Sequence, residues 1–288
     1  MSAVSTLPIE LWHQILRFIY EASLSSDTLL RNYPWVNTLR SIRRRASASA
    51  HRGVMVQSIG QVCRSWKMFS KQLSYQEIEI GSYAFSFHDL LMEHQSDPSI
   101  FNETRRLNVR TVWSDNTHQL SLLVQSMHRL EWLQLSTHEI EESCVRSRLP
   151  SILGALPCLL YLDLEPLRYT EALLVDSECI YVISSLAIHL RRLTCGIKYV
   201  ACPDGQVIHA PRFQSLEVLQ VVDIRCDPGH EQATCKWFSR WHLPSLKQFY
   251  IPRTWEYCTG LLDRGVGAQL EVLDASVRVP RLVRRWQE

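Results

Sequence analysis

The sequence predicts an α/β protein: an N-terminal helical module followed by an irregular solenoid, with parallel strands on one face and helices on the other. Three observations predict it. An apolar frame, L-x-x-L-x-L, returns every 24 to 31 residues over most of the chain. A helix start at Thr6-Leu7-Pro8-Ile9-Glu10 leads into an unusually wide apolar surface. The composition, 46% hydrophobic and 21% charged over 288 residues, is that of a globular protein long enough to bury a substantial core.

The N-terminal module comes first. Pro8 suits the first helical position, and Glu10 complements the unpaired N–H groups of the first turn. Leu11, Trp12, Ile15, Leu16, Phe18, Ile19 and Tyr20 then cover an arc of about 200° on the helical wheel, twice the stripe of about 100° that one core contact needs. A surface that wide implies deep burial or a partner laid against the second side. A second helix is expected over Ser58–Ser70, where Ile59, Val62, Cys63, Trp66 and Phe69 recur at three- and four-residue steps. Between the two lies an insert, about 22–57, that reads as a loop with one amphipathic piece around Trp35–Ile42. Its cluster of Arg40, Arg43, Arg44 and Arg45 suits a solvated loop, a nuclear-import signal or a basic-directed kinase site. The module spans 1–72.

From 73 to 276 the repeat governs. The clearest frames are Leu130/Leu133/Leu135, Leu159/Leu162/Leu164 and Leu216/Leu219/Val221. Leu190/Leu193/Cys195, Leu246/Phe249/Ile251 and Leu270/Leu273/Ala275 follow, with weaker copies at Leu107/Val109 and Ile78/Ile80. Each frame alternates like a strand with one buried face. Helical patterns lie between them: Phe87/Leu90/Leu91, Leu120/Leu123/Val124/Met127 and Ile180/Ile183/Ala187/Leu190. A strand and a helix in some 28 residues cannot close a core alone, but stacked copies can. The competing arrangement is a doubly wound sheet, whose loops should carry nucleotide or catalytic signatures. Gly265-Val266-Gly267 lacks the third glycine of such a fingerprint. The concave strand surface is the expected binding face, with Trp132, Gln134, Tyr161, Asp163, Arg191, Arg192, Gln220 and Gln248 as candidate target contacts. The basic segment 277–288 is expected to be a tail or a cap folded back through Leu282, Val283 and Trp286.

Two motifs carry a resemblance. Leu7-Pro8-Ile9-Glu10-Leu11-Trp12 with Ile15-Leu16, followed by Val62-Cys63-Arg64-Ser65-Trp66, resembles the two halves of the F-box. The chain is similar to F-box proteins with irregular leucine-rich repeats, of the extended kind found in mushroom-type fungi. The resemblance implies a substrate-recognition subunit of a cullin-based ubiquitin ligase: the F-box docks on a Skp-type adaptor, and through it on a cullin, while the repeats hold a target protein. It assigns Leu7, Pro8, Ile15, Leu16, Val62, Cys63 and Trp66 as adaptor contacts or their supports. The long insert departs from the compact F-box pattern and bears on how the two halves meet.

The remaining features narrow the function classes. A formal charge of +2, from 31 basic and 29 acidic residues, lacks the basic excess of a nucleic-acid binder. With no leader-like start and no apolar run of membrane length, the expected location is cytoplasmic, nuclear or both. Nine scattered cysteines without a Cys-x-x-Cys pair read as free thiols. Cys226, His230 and Cys235 are read as incidental to a surface loop rather than as metal ligands. No nucleophile elbow, zinc-helix motif or phosphate loop is present, so no catalysis, cofactor or metal is expected. The chain is expected to be monomeric within its complex. An interaction scaffold without a role in ubiquitin transfer is the alternative, and an unrecognised α/β enzyme with a deep titratable pocket comes third.

Overall fold

The computed structural model describes residues 8–31, 54–62, 64–80, 86–109, 117–135, 142–164, 174–200, 209–251 and 269–274. The chain divides into two compact units, Met1–Glu77 and Ile78–Glu288.

In the first unit, helix α1 runs Ile9–Arg31. It starts as expected, with the Pro8 carbonyl accepting from the N–H groups of Leu11 and Trp12. It does not stop near Glu21. The first part of the supposed loop insert, residues 22–31, is helical, because nothing between Ala22 and Arg31 breaks a helix until Pro34 restricts the residue before it. Residues 32–53 of the insert, with its arginine cluster and the piece around Trp35–Ile42, lie outside the described residues, and its last residues, 54–57, are again helical.

The second expected helix is two helices. Residues 54–60 form α2, a turn at Gln61 and Val62 follows, and α3 runs Arg64–Ser74. Gly60 explains the break. It ends α2 where the chain packs against α3, and a Cβ there would lie 2.7 Å from Ser70 Oγ. Tyr20, Ile59, Phe69 and Leu73 form the core of this unit, with Leu16, Met55, Val56 and Trp66 packed around it.

The second unit is α/β, with a parallel sheet. Its strands are β1 (Glu77–Ile80), β2 (Arg106–Val109), β3 (Trp132–Leu135), β4 (Tyr161–Asp163), β5 (Leu174–Asp176), β6 (Arg192–Tyr199), β7 (Val218–Cys226), β8 (Gln248–Tyr250) and β9 (Val272–Asp274). Every apolar frame falls on one of them. The spatial order is β1-β2-β3-β4-β6-β7-β8-β9, with β5 beside β6. Apart from β5, which leaves β4 paired with β6, neighbours in space are thus neighbours in sequence, and the order never reverses as it does in a doubly wound sheet. β6 is long enough to pair with β4 through Arg192–Thr194 and with β5 through Gly196–Lys198. A register shift after Cys195 lets β6 and β7 stay paired over their full length.

Helices α4 (Phe87–Ser96), α5 (Thr117–Val124), α6 (Glu142–Gly154), α7 (Ser177–Leu186) and α8 (Glu231–Phe238) lie between the strands in sequence. Ser86 caps α4 by accepting from Asp89 N, and Asp176 caps α7 by accepting from Cys179 N at 2.7 Å. The periodicity located α4, α5 and α7. It missed α6, and it missed α8, which occupies part of what was read as a surface loop: Cys235 sits within it and His230 at its start. Gly229, at φ 88°, makes the turn that opens α8. The Glu231 carboxylate then takes the Gly229 N–H, and backbone N–H groups of Glu231 and Gly229 hold its pKa below the usual range.

The approach to each strand repeats one device. Leu130, Leu159, Leu190 and Leu246 each donate from N–H to the carbonyl three residues earlier, closing a turn. The next residue then donates across to the preceding repeat: Glu131 to Arg105, Leu160 to Glu131, Arg191 to Leu160, Glu217 to Arg191, Lys247 to Glu217 and Glu271 to Lys247. A continuous backbone ladder results. Behind it, Leu107, Leu133, Leu162, Leu193, Leu219 and Phe249 are fully buried, whereas Leu273 in the last strand is 51% exposed.

Leu133→Ala should therefore cost about 2–5 kcal/mol, and Leu273→Ala less than ~1 kcal/mol. Urea denaturation of the two variants checks this. Equal losses would show that the sheet is not closed at β3 and open at β9.

Candidate functional site

Two surfaces were singled out by the sequence. The first is on α1, where the wide apolar arc divides into two halves of about 100° each. Trp12, Leu16 and Tyr20 line the half turned to the unit's own core. Trp12 meets Trp66 with ring centroids 6.0 Å apart, and His13 stacks on Phe69 at 4.2 Å. The other half is bare: Leu11 is 42% exposed, Ile15 40%, Ile19 47% and Phe18 73%.

The candidate adaptor residues sort accordingly. Pro8, Ile15 and Val62 are exposed. Leu16 and Trp66 are half-buried and pack on the core. Leu7 and Cys63 lie outside the described residues. Leu11, which the motif contains but which was not among the candidate contacts, belongs to the bare face, as do Phe18 and Ile19 outside the motif. Their signal was the width of the arc.

The second surface is the non-core face of the sheet. Parallel register lines its side chains in two rows. Arg106, Trp132, Tyr161, Arg192, Val218 and Gln248 form one; Asn108, Gln134, Asp163, Thr194, Gln220 and Tyr250 form the other. In the first row the Arg106 guanidinium carbon lies 5.5 Å from the centroid of the Trp132 ring, which stacks on Tyr161 at 5.0 Å. Such contacts each add about 0.5–1.5 kcal/mol beyond burial.

This face corrects the expected target surface. Trp132, Asp163, Arg192 and Gln220 are buried, with Trp132 only 3% exposed; they cannot serve as open contacts. Gln134, Tyr161 and Gln248 are half-buried and Arg191 is exposed. Arg191 stands just before β6, beside the face rather than on it. The buried members hold one another. Arg192 Nε lies 3.7 Å from Asp163 Oδ1, and Arg192 Nη2 donates to Gln220 Oε1 at 3.2 Å. At 3.7 Å the pair is an ion pair without a hydrogen bond, and Asp163 Oδ1 accepts none among the described residues. The alternation of a strand shows which face a side chain takes, not whether that face is wet.

Other reactive groups are dispersed. His94 Nε2 lies 2.6 Å from Ser126 Oγ, but the ring stacks on Phe101, and among the described residues no carboxylate orients it as a general base requires. Among the described residues no group of three His, Cys, Asp or Glu side chains could hold a metal ion. Nor is any described helix long and apolar enough to cross a membrane. Burial pushes the Cys195 thiol up to about 12, which removes the reactive thiolate at neutral pH. Cys158 is exposed. No family model matches the chain, and no curated protein matches it in sequence.

Two outcomes follow from this arrangement. Asp163→Ala removes the acidic neighbour 3.7 Å from the buried Arg192 guanidinium and should cost about 3–5 kcal/mol, part of which Asp163→Leu/Arg192→Met should restore. A double variant less stable than the single one would refute the pairing. In the native protein, iodoacetamide should label Cys158 quickly and Cys195 only at the rate of unfolding, as peptide mass spectrometry would read.

Proposed function

We propose that the protein is the target-recognition subunit of a cullin-based ubiquitin ligase, an F-box-like module joined to a leucine-rich-repeat solenoid. The observation that carries this reading is the bare half of α1. Leu11, Ile15, Phe18 and Ile19 form a contiguous apolar face on a helix whose other half already packs against α2 and α3. Isolated exposed apolar residues need no explanation, but a contiguous face of this kind marks an interaction site. It follows directly on the Leu7-Pro8-Ile9-Glu10 start, and Val62, 60% exposed, stands in the turn of the second motif half. A Skp-type adaptor is the partner that the two motif halves imply.

The repeat reading is supported by strand order. Strands that follow one another in sequence and in space, spaced at the interval of the frames, suit a solenoid. Target contacts then fall to the accessible part of the strand face. Arg106, Gln134, Tyr161 and Gln248 offer half-exposed polar and aromatic groups, backed by the buried Asp163–Arg192–Gln220 layer that fixes their positions. In this scheme the chain contributes proximity, and the chemistry of transfer belongs to other subunits.

The test is binding of a purified Skp-type adaptor to the full-length chain. Leu11→Ala and Phe18→Ala should each weaken it by about tenfold or more while shifting stability by less than ~0.5 kcal/mol. No binding by folded wild type would overturn the ligase reading and leave an interaction scaffold.

A further inference from the structure

Not every interval between strands holds a helix among the described residues. α4, α5, α6 and α7 pack one against the next. Among the described residues, however, no helix lies between β6 and β7. There the chain at 209–213 is extended, and Arg212 pairs in parallel with His242. A cleft of about 620 Å³ opens beside α7 at this segment.

Both walls are fixed by bonds that leave the lining free. On α7, Tyr181 and Ser184 lie on one helical face, with Ile188 in the turn just beyond the helix, and the hydroxyls of Ser184 and Ser185 donate back to the Tyr181 carbonyl at 2.7 and 2.9 Å. Opposite them, the His209 carbonyl accepts from Trp237 Nε1 at 3.4 Å. The Pro211 carbonyl accepts from His242 N, and Phe213 N donates to the His242 carbonyl. The Tyr181 and His209 rings are in tilted contact at the cleft wall, with centroids 5.1 Å apart. Arg212 and Arg240 line the same cleft, and among the described residues no carboxylate does. Both are exposed, and among the described residues neither guanidinium has an acidic partner.

Two guanidinium groups lining one cleft give it a positive lining that favours an anion. Arginine forks match the oxygens of phosphate with paired N–H donors. The volume also exceeds that of a bare anion, and the ring pair with the half-exposed Ile188 offers an apolar wall for a further group. We propose that this cleft binds a small phosphate monoester, with Arg212 and Arg240 holding the phosphate and the Tyr181–His209 pair contacting the organic part. The cleft shares no residue with α1 or with the strand face, so its success or failure is separate from that of the ligase reading.

Phenyl phosphate is the probe, titrated calorimetrically into full-length protein at constant ionic strength, beside inorganic phosphate and benzoate. Expected is saturable binding in the millimolar range or tighter, with both comparison ligands weaker. Arg212→Ala and Arg240→Ala should each weaken binding by about tenfold or more, while Arg129→Ala, whose guanidinium pairs with Glu103 elsewhere, should leave it unchanged. Independently of any variant, the His209 ring resonances of the wild type should move on titration and those of His94 should not. Wild-type affinity in both cleft variants, or no saturation by the wild type, would overturn the site. Benzoate binding as tightly as phenyl phosphate would overturn the phosphate assignment, and inorganic phosphate binding as tightly would remove the role of the ring pair.

Discussion

A strand and a helix of this length cannot bury their own apolar faces, and the architecture of residues 78–274 depends on that constraint. Each frame contributes two or three side chains to a core that exists only between one repeat and the next. Leu133 is fully buried because β2 and β4 pair on either side of its strand and the helices cover one face. The ladder from Arg105 to Glu271 satisfies the backbone in the same way, each N–H finding its carbonyl in the preceding repeat. Hydrophobic burial and hydrogen bonding are therefore both met between neighbouring strands.

That constraint explains which parts of the chain could be read in advance. The frames predicted strands well because alternation at three positions, repeated eight times, has few other solutions. α8 was missed for the opposite reason. Its buried residues are Thr234, Trp237 and Phe238, too few and too late in the segment to show a helical period. The break between α2 and α3 was hidden by a period that runs unbroken from Ile59 to Phe69 although the helix does not. Only Gly60 signalled it, through the close approach to Ser70. Likewise, the extension of α1 to Arg31 was concealed by its serines, which lower helix propensity without forbidding the helix.

The candidate sites show the same division between pattern and environment. On α1 the sequence announced more apolar surface than one packing contact can use, and the structure divides that surface at the line between Ile19 and Trp12. On the sheet, alternation assigned Trp132, Asp163, Arg192 and Gln220 to the correct face, yet those residues are buried. No local signal distinguishes a solvated polar row from a covered one. The two differ only in what other parts of the chain lie over them.

Burial of that polar row changes what the strand face can do. A solvated Arg–Asp pair would contribute little and could rearrange to meet a partner. Arg192 and Asp163, both nine-tenths or more buried, are held in one arrangement, because separating them would leave a charge uncompensated in a medium of low polarity. Tyr161, next to Arg192 in the same row, is stacked on the buried Trp132. The accessible groups on this face are thus presented from a rigid support, so a partner that fits them meets side chains that have already lost their rotamer freedom. This favours a partner of complementary shape over one recognised by adaptable contacts.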